Sequence, residues 1–202
     1  MPKTYLTTQI QNTFVDYLND AGSTGNDNFI QDYYLQRYLI GATWTQSSKT
    51  QGTVRFGYLQ QHFNHGGQNG ASGLTWDGKI QWSPVGYSTL TLEFKRDVQP
   101  SIGSGSSRKI QTYSAKWKHD WLHRVTTELT GAYQESIADA STQTGNNGGM
   151  TFKFDIKYQM RPWLDLGANY LKSDFQGDTN DFASSQNIFM LYVNAKPKPG
   201  SN

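Results

Sequence analysis

From Met150 to Gln159 apolar and polar residues alternate without a break: Met150, Phe152, Phe154, Ile156 and Tyr158 fall on one side of an extended chain, and Thr151, Lys153, Asp155, Lys157 and Gln159 on the other. Side chains of a strand point alternately to opposite faces, so this spacing predicts a sheet whose two faces meet different surroundings. Leu90, Leu92 and Phe94 oppose Thr91, Glu93, Lys95 and Asp97 in the same way. Leu74, Trp76, Ile80 and Trp82 oppose Thr75, Asp77, Lys79 and Gln81, and Val125, Thr127, Leu129 and Tyr133 oppose Thr126, Glu128, Thr130 and Gln134. With weaker runs added, the pattern predicts strands over 4–18, 29–44, 51–63, 73–83, 88–99, 109–119, 124–137, 149–160, 163–175 and 186–196. Most reach ten residues or more. Globular strands run to about 5–6, whereas a tilted strand crossing a bilayer needs about 9–11.

The connections alternate in kind. Short ones at Gln46–Lys49, Ser83–Tyr87, Asp120–His123 and Arg161–Pro162 separate longer loops rich in Gly, Asn and Ser at Asn19–Asn28, Asn64–Ser72, Pro100–Arg108, Asp139–Gly148 and Gln176–Ser185. Up-and-down outer-membrane barrels have short periplasmic turns and longer extracellular loops, and an even strand count returns both chain ends to the periplasmic side. Trp44, Trp82, Trp121 and Trp163 each fall near a short turn. Tryptophan and tyrosine prefer the membrane interface, with the ring in apolar surroundings and the N–H or O–H wet. The four tryptophans, with Tyr87 and Tyr158, are therefore the expected periplasmic girdle, and Phe63, Tyr133, Tyr170 and Phe175 the opposing one. A soluble barrel, which also buries aromatics at strand ends, is the lesser reading.

Composition agrees with a membrane barrel. Charged residues make up 17% and aromatics 14%, with 20 Gly and a mean hydropathy of −0.70. That hydropathy argues against helical spans, which need about 20 consecutive apolar residues. Strands with a lipid face and a polar lumen face dilute every apolar residue with a polar neighbour, so low hydropathy is expected of them. A net charge of +2, with no basic cluster interleaved with aromatics, gives no reason to expect a nucleic-acid partner. The absence of cysteine removes disulfides, thiolate metal sites and thiol catalysis, and suits an oxidising compartment. No signal peptide is visible, and on this reading it has been removed, with Met1 in its place.

The polar face carries Arg55, Asp77, Lys79, Glu93, Lys95, Asp97, Lys116, Lys118, Glu128, Lys153, Asp155, Lys157 and Asp165. In a sandwich these would be solvated surface; in a barrel they line the lumen, where opposite charges on neighbouring strands pair and offset desolvation. Such a lumen is either a filled interior laced with ion pairs or a hydrated channel without strong charge selectivity, and structural pairing carries more weight. No catalytic constellation or metal site is expected, and no cofactor. His62, His65, His119 and His123 read as interfacial or exposed residues. Asp174, Asp178 and Asp181 could gather near His65, but no motif marks a hydrolase. Gly103-Ser104-Gly105-Ser106 lacks the lysine of a phosphate loop and reads as a flexible loop.

Three segments carry a family likeness: Trp82-Ser83-Pro84 leading into Ser88-Thr89-Leu90-Thr91-Leu92, Lys118-His119-Asp120-Trp121-Leu122, and Arg161-Pro162-Trp163-Leu164-Asp165-Leu166-Gly167-Ala168-Asn169-Tyr170. Over roughly Gly73 to Ala195 the chain resembles the β-barrel porins encoded with exopolysaccharide operons. The resemblance implies a role in the outer-membrane step of polysaccharide secretion, with a polysaccharide cargo and secretion-machinery partners or further copies of the chain. Members of that family usually have longer chains and more strands, so this chain is expected to be a compact relative, part of a larger barrel, or a chain that assembles with others. About eight strands leave an interior filled by side chains and 16–18 leave an aqueous channel, so ten would leave little free passage.

The expected architecture is therefore all-β: an up-and-down antiparallel transmembrane β-barrel of about ten strands over 1–196, in the bacterial outer membrane, its first partner the lipid bilayer. The tail 197–202, with Pro197 and Pro199, reads as disordered or artificially appended. A narrow pore or scaffold is the leading functional expectation. The alternative is a plugged barrel whose loops bind glycans or surfaces.

Overall fold

A computed structural model describes residues 3–16, 32–47, 49–63, 70, 72–100, 107–121, 124–138, 146–177 and 183–196. Ten strands follow in chain order: β1 (Lys3–Val15), β2 (Tyr33–Ser47), β3 (Thr50–Phe63), β4 (Ser72–Val85), β5 (Ser88–Pro100), β6 (Ser107–Trp121), β7 (Val125–Ala138), β8 (Asn146–Arg161), β9 (Leu164–Gln176) and β10 (Ser184–Ala195). Each pairs antiparallel with the next, giving one up-and-down sheet in the order β1 to β10. All ten expected strands are present, with ends displaced by at most four residues. The parts of the expected strands and loops at 17–31, 64–69, 101–106, 139–145 and 178–182, and the tail 197–202, lie outside the described residues.

The short turns are tighter than the sequence suggests. Ser83–Val85 and Arg161 belong to strands, which leaves Gly86–Tyr87 and Pro162–Trp163 as turns. The ladders shift register at Thr45/Ser47, Trp82/Val85 and Gln159/Arg161, all on this rim. Such irregularities add local twist, and barrel rims collect them. Backbone bonds tie each turn region to the next: Ser83 N–H to Lys49 C=O at 2.7 Å, Asp120 N–H to Tyr87 C=O at 2.8 Å, Gln159 N–H to Arg124 C=O at 2.7 Å, and Lys196 N–H to Trp163 C=O at 2.7 Å.

Register keeps the two chemical faces in line across the sheet. One transverse row runs Val54, Gly78, Phe94, Tyr113, Tyr133, Met150; its neighbour runs Arg55, Asp77, Lys95, Thr112, Gln134, Gly149. On β8 the apolar row from Met150 to Met160 is largely exposed. Ten residue steps span about 33 Å along a strand and about 25 Å along the membrane normal at a tilt near 40°, the height of the apolar band of outer-membrane barrels.

The polar face is concave. Side chains on it meet across intervening strands: Arg55 of β3 reaches Gln9 of β1 at 2.7 Å, Tyr192 of β10 reaches Asp155 of β8 at 3.1 Å, and Arg37 of β2 pairs with Asp97 of β5. Among the described residues no ladder joins β1 to β10, and both edge strands are mostly exposed. The buried apolar side chains among them are Leu39, Leu59 and Val98. Leu39 and Leu59 lie in register with the polar face, near the long-loop end, so the separation of apolar outside from polar inside is not complete.

Candidate functional site

The charged concave face is assembled strand by strand. Arg55 faces Asp77 across the β3–β4 ladder and donates to Asp77 Oδ2 from Nε at 2.9 Å and from Nη2 at 2.7 Å. Its Nη1 donates to Gln9 Oε1 at 2.7 Å, crossing β2 at Gly41, where any Cβ would collide with the arginine stem. One guanidinium thus ties three strands, using the fork of donors that a lysine lacks. Lys79 pairs with the opposite Glu93 at 2.6 Å, and Lys116 with Glu128 at 2.8 Å.

Other lysines reach along their own strands. Lys95 pairs with Asp97 at 2.9 Å and Lys118 with Asp120 at 3.6 Å. Asp155 accepts from the Tyr192 hydroxyl, whose ring lies over Gly167. Asp165 is 3% exposed and pairs with Lys196 at 2.9 Å. Lys153 and Lys157 share the face without an ion-pair partner among the described residues. All thirteen charged positions singled out by alternation are therefore in register on one face, and eleven of them are engaged by a partner there. The half-exposed pairs contribute little stability, about 0–1 kcal/mol each, so their effect falls on the electrostatics of the groove.

Between β2 and β6 this face forms an open cavity of about 740 Å³, lined among others by Thr43, Arg55, Asp77, Lys79, Glu93 and Lys95. Thr43 and Thr53 exchange a 3.0 Å hydroxyl contact beside it. Charges of both signs and hydroxyls give a surface that replaces part of the hydration of a small polar solute, with neither sign in large excess.

Aromatic residues collect on the outer face at the short-turn end. Trp82, Tyr87, Trp121, Tyr158 and Trp163 are 42–55% exposed. Trp44 lies deeper, opposite Gly52, with its ring over that glycine. Trp117 joins this group without having been singled out, its indole donating to Ser88 Oγ at 2.9 Å, and His119, read from the sequence as interfacial or exposed, sits 4.1 Å from the Trp121 ring centroid and 5.3 Å from that of Tyr87. At the opposite end Tyr133 is exposed on the outer face, and Tyr170 packs on Phe189 at 4.6 Å. Phe175, expected outside, is in register with the charged face and covers Gly149. Gly149 leaves a gap that the ring fills. The side chain of Phe63, and residues 65, 103–106, 123, 178 and 181, lie outside the described residues.

Among the described residues no group of three or more His, Cys, Asp or Glu is placed to hold a metal ion. The sequence reading missed Arg37, Gln9, Asp120 and Tyr192 on the concave face. In Tyr33–Ile40 apolar side chains occupy both faces, which hides Arg37 from a search for alternation.

A family model described as "Putative beta-barrel porin 2" matches residues 35–197. Among curated proteins none matches. Among solved structures, OmpTdeltaL8, a loop L8 deletion mutant of OmpT, an outer membrane protein of Vibrio cholerae, is 12% identical with a TM-score of 0.46 over 95% of this chain and 62% of that one. The chain thus spans less than two thirds of the length of that structure.

Proposed function

We propose, from the premise that the chain belongs to the putative beta-barrel porin 2 family and is a β-barrel protein of the bacterial outer membrane, that its concave face forms a narrow, charge-balanced conduit for small polar solutes. The observation that carries this reading is the row of alternating charges Arg55, Asp77 and Lys95, beside Lys79 and Glu93, around the 740 Å³ cavity. A surface of that kind lets a hydrated solute exchange water for protein groups without binding any one of them too firmly to leave. The protein is non-catalytic on this reading. Planar-bilayer recording of the refolded chain tests it: discrete conductance steps with weak charge selectivity are expected, and absence of conductance at every voltage and salt concentration rejects it.

The cellular role as conduit or scaffold in exopolysaccharide secretion is supported by the likeness of the three segments at Trp82–Leu92, Lys118–Leu122 and Arg161–Tyr170. Surface polysaccharide measured in cells lacking the protein, with and without a plasmid copy, tests that role: a loss restored by the plasmid is expected. Unchanged polysaccharide would confine the protein to a general pore.

A further inference from the structure

Near the long-loop end β5 leaves its neighbour. The β4–β5 ladder stops at Trp76 opposite Arg96, while β5 stays paired with β6 as far as Pro100 opposite Ser107. Where the ladder stops, the Thr75 hydroxyl takes over, donating to the Arg96 carbonyl at 2.6 Å. The next residue, Asp97, accepts from the following amide, Val98 N–H, at 3.0 Å, a local bond that competes with strand pairing.

The consequence is a change of facing. Asp97 lies in register with the concave side and pairs with Arg37, three interstrand steps away, about 14 Å along the sheet. Val98 should then point outward by alternation. Instead it is 7% exposed and packs with Leu59, itself fully buried, and with Leu35. Both Leu59 and Leu35 belong to the concave face by register. The end of β5 therefore crosses over the groove.

We infer that this crossing is the constriction of the lumen: Val98, Leu59 and Leu35 form its dry wall, and the Arg37–Asp97 ion pair holds the β5 end across it. This rests on the conduit reading of the concave face. The cavity lies directly below, with Lys95 bridging the two by its pair to Asp97. Both partners of the Arg37–Asp97 pair are only 15% exposed, so removing either leaves the other's charge shielded from water and unpaired. An apolar ring closes a pore by excluding water, and a charge pair beside it sets which ion enters when the ring loosens. The solutes admitted are small ones that pass beside the joined guanidinium and carboxylate.

The test uses the full chain in planar bilayers, with heat-modifiable migration on gels as the check of folding. Val98→Ala, Asp97→Asn and Arg37→Gln are each expected to raise single-channel conductance about two-fold or more. Reversal potentials should move in opposite directions, toward anions for Asp97→Asn and toward cations for Arg37→Gln. The exchanged pair, Arg37→Asp with Asp97→Arg, should return toward the parent conductance, and Ile156→Val, on the outer face and far from the crossing, should not change it. Parent-like conductance in all three single variants overturns the inference while leaving the conduit intact. A second readout does not need conduction. Thr112→Cys, in the cavity wall, should react slowly with a small impermeant maleimide added outside cells, and faster when combined with Val98→Ala. Faster labelling without any conductance rejects the conduit and keeps the constriction; equal labelling rates reject the constriction.

Discussion

Tyr192 of β10 reaches over β9 to donate its hydroxyl to Asp155 of β8, and it can do so because Gly167, directly opposite it, has no side chain. Arg55 repeats the arrangement at the other edge, crossing β2 over Gly41 to meet Gln9 of β1. In both cases a glycine in the middle strand turns a neighbour contact into a brace across three strands. Both braces lie on the charged side of the sheet, the concave one.

The first prediction concerns this brace. Gly167→Ala places a Cβ where the Tyr192 ring lies, and overpacking of this sort costs about 1–3 kcal/mol. Tyr192→Phe removes only the hydroxyl bond to a carboxylate, a loss of about 1–2 kcal/mol. Urea unfolding in detergent micelles should therefore rank Gly167→Ala at or below Tyr192→Phe in midpoint. A Gly167→Ala variant as stable as the parent would mean that the ring does not rest there.

The second prediction separates two ion pairs that look alike in sequence. Arg55–Asp77 has two guanidinium bonds and side chains 33% and 24% exposed, whereas Lys79–Glu93 is a single contact with side chains 63% and 49% exposed. A double-mutant cycle on Arg55→Gln and Asp77→Asn should give a coupling of about 1 kcal/mol. Lys79→Gln with Glu93→Gln should give about half of that or less. Equal couplings would show that water reaches both pairs alike.

The third prediction contrasts the two faces of β8. Phe152→Lys puts a cation on the outer face among Met150, Phe154 and Ile156, where a charge at mid-membrane costs about 2–4 kcal/mol. Lys153→Phe, one residue along, removes a charge from the concave face and should leave folding into vesicles nearly unchanged while altering ion selectivity. Folding yield into phospholipid vesicles, read from the heat-modifiable gel shift, checks both. The reverse order would exchange the two faces.

The strands were legible because lipid on one side and water on the other force a strict period of two, as in Met150–Gln159. The register was not written in any one strand, yet pairing like with like aligns Arg55, Asp77 and Lys95 once the faces are assigned. What escaped was wherever the two-sided rule lapses. Tyr33–Ile40 is apolar on both faces because its inner side chains, Leu35 and Leu39, pack on the concave side rather than face water. Arg37 is embedded in that tract, and its partner Asp97 lies 60 residues on, beyond any local pattern. Phe175 looked like a girdle residue because its inward course depends on Gly149, a residue of another strand.

The last prediction concerns the two free edges. Unpaired backbone groups are not tolerated against lipid, so β1 and β10 must be covered in the membrane. Following one transverse row from Thr7 through Gly41, Arg55, Asp77, Lys95, Thr112, Gln134, Gly149 and Phe175 leads to Ser184, from the lower half of β1 to the upper end of β10. The strands are thus staggered in the sense that closure needs. An eight-stranded barrel with a shear of eight has a tilt of about 36°, and the same ratio of shear to strand number gives ten strands a shear of about ten. Adding ten residues of stagger to that row sets Ile10 opposite Leu191, both on the outer face and both exposed. A shear of about eight would instead bring Phe189 to Ile10, and one of about twelve Val193. Oxidation of Ile10→Cys paired in turn with Phe189→Cys, Leu191→Cys and Val193→Cys, in the outer membrane of intact cells, should give an intrachain disulfide that is most efficient with position 191. Cross-links found only between chains, or none at all three positions, would mean that strands other than β10 cover β1.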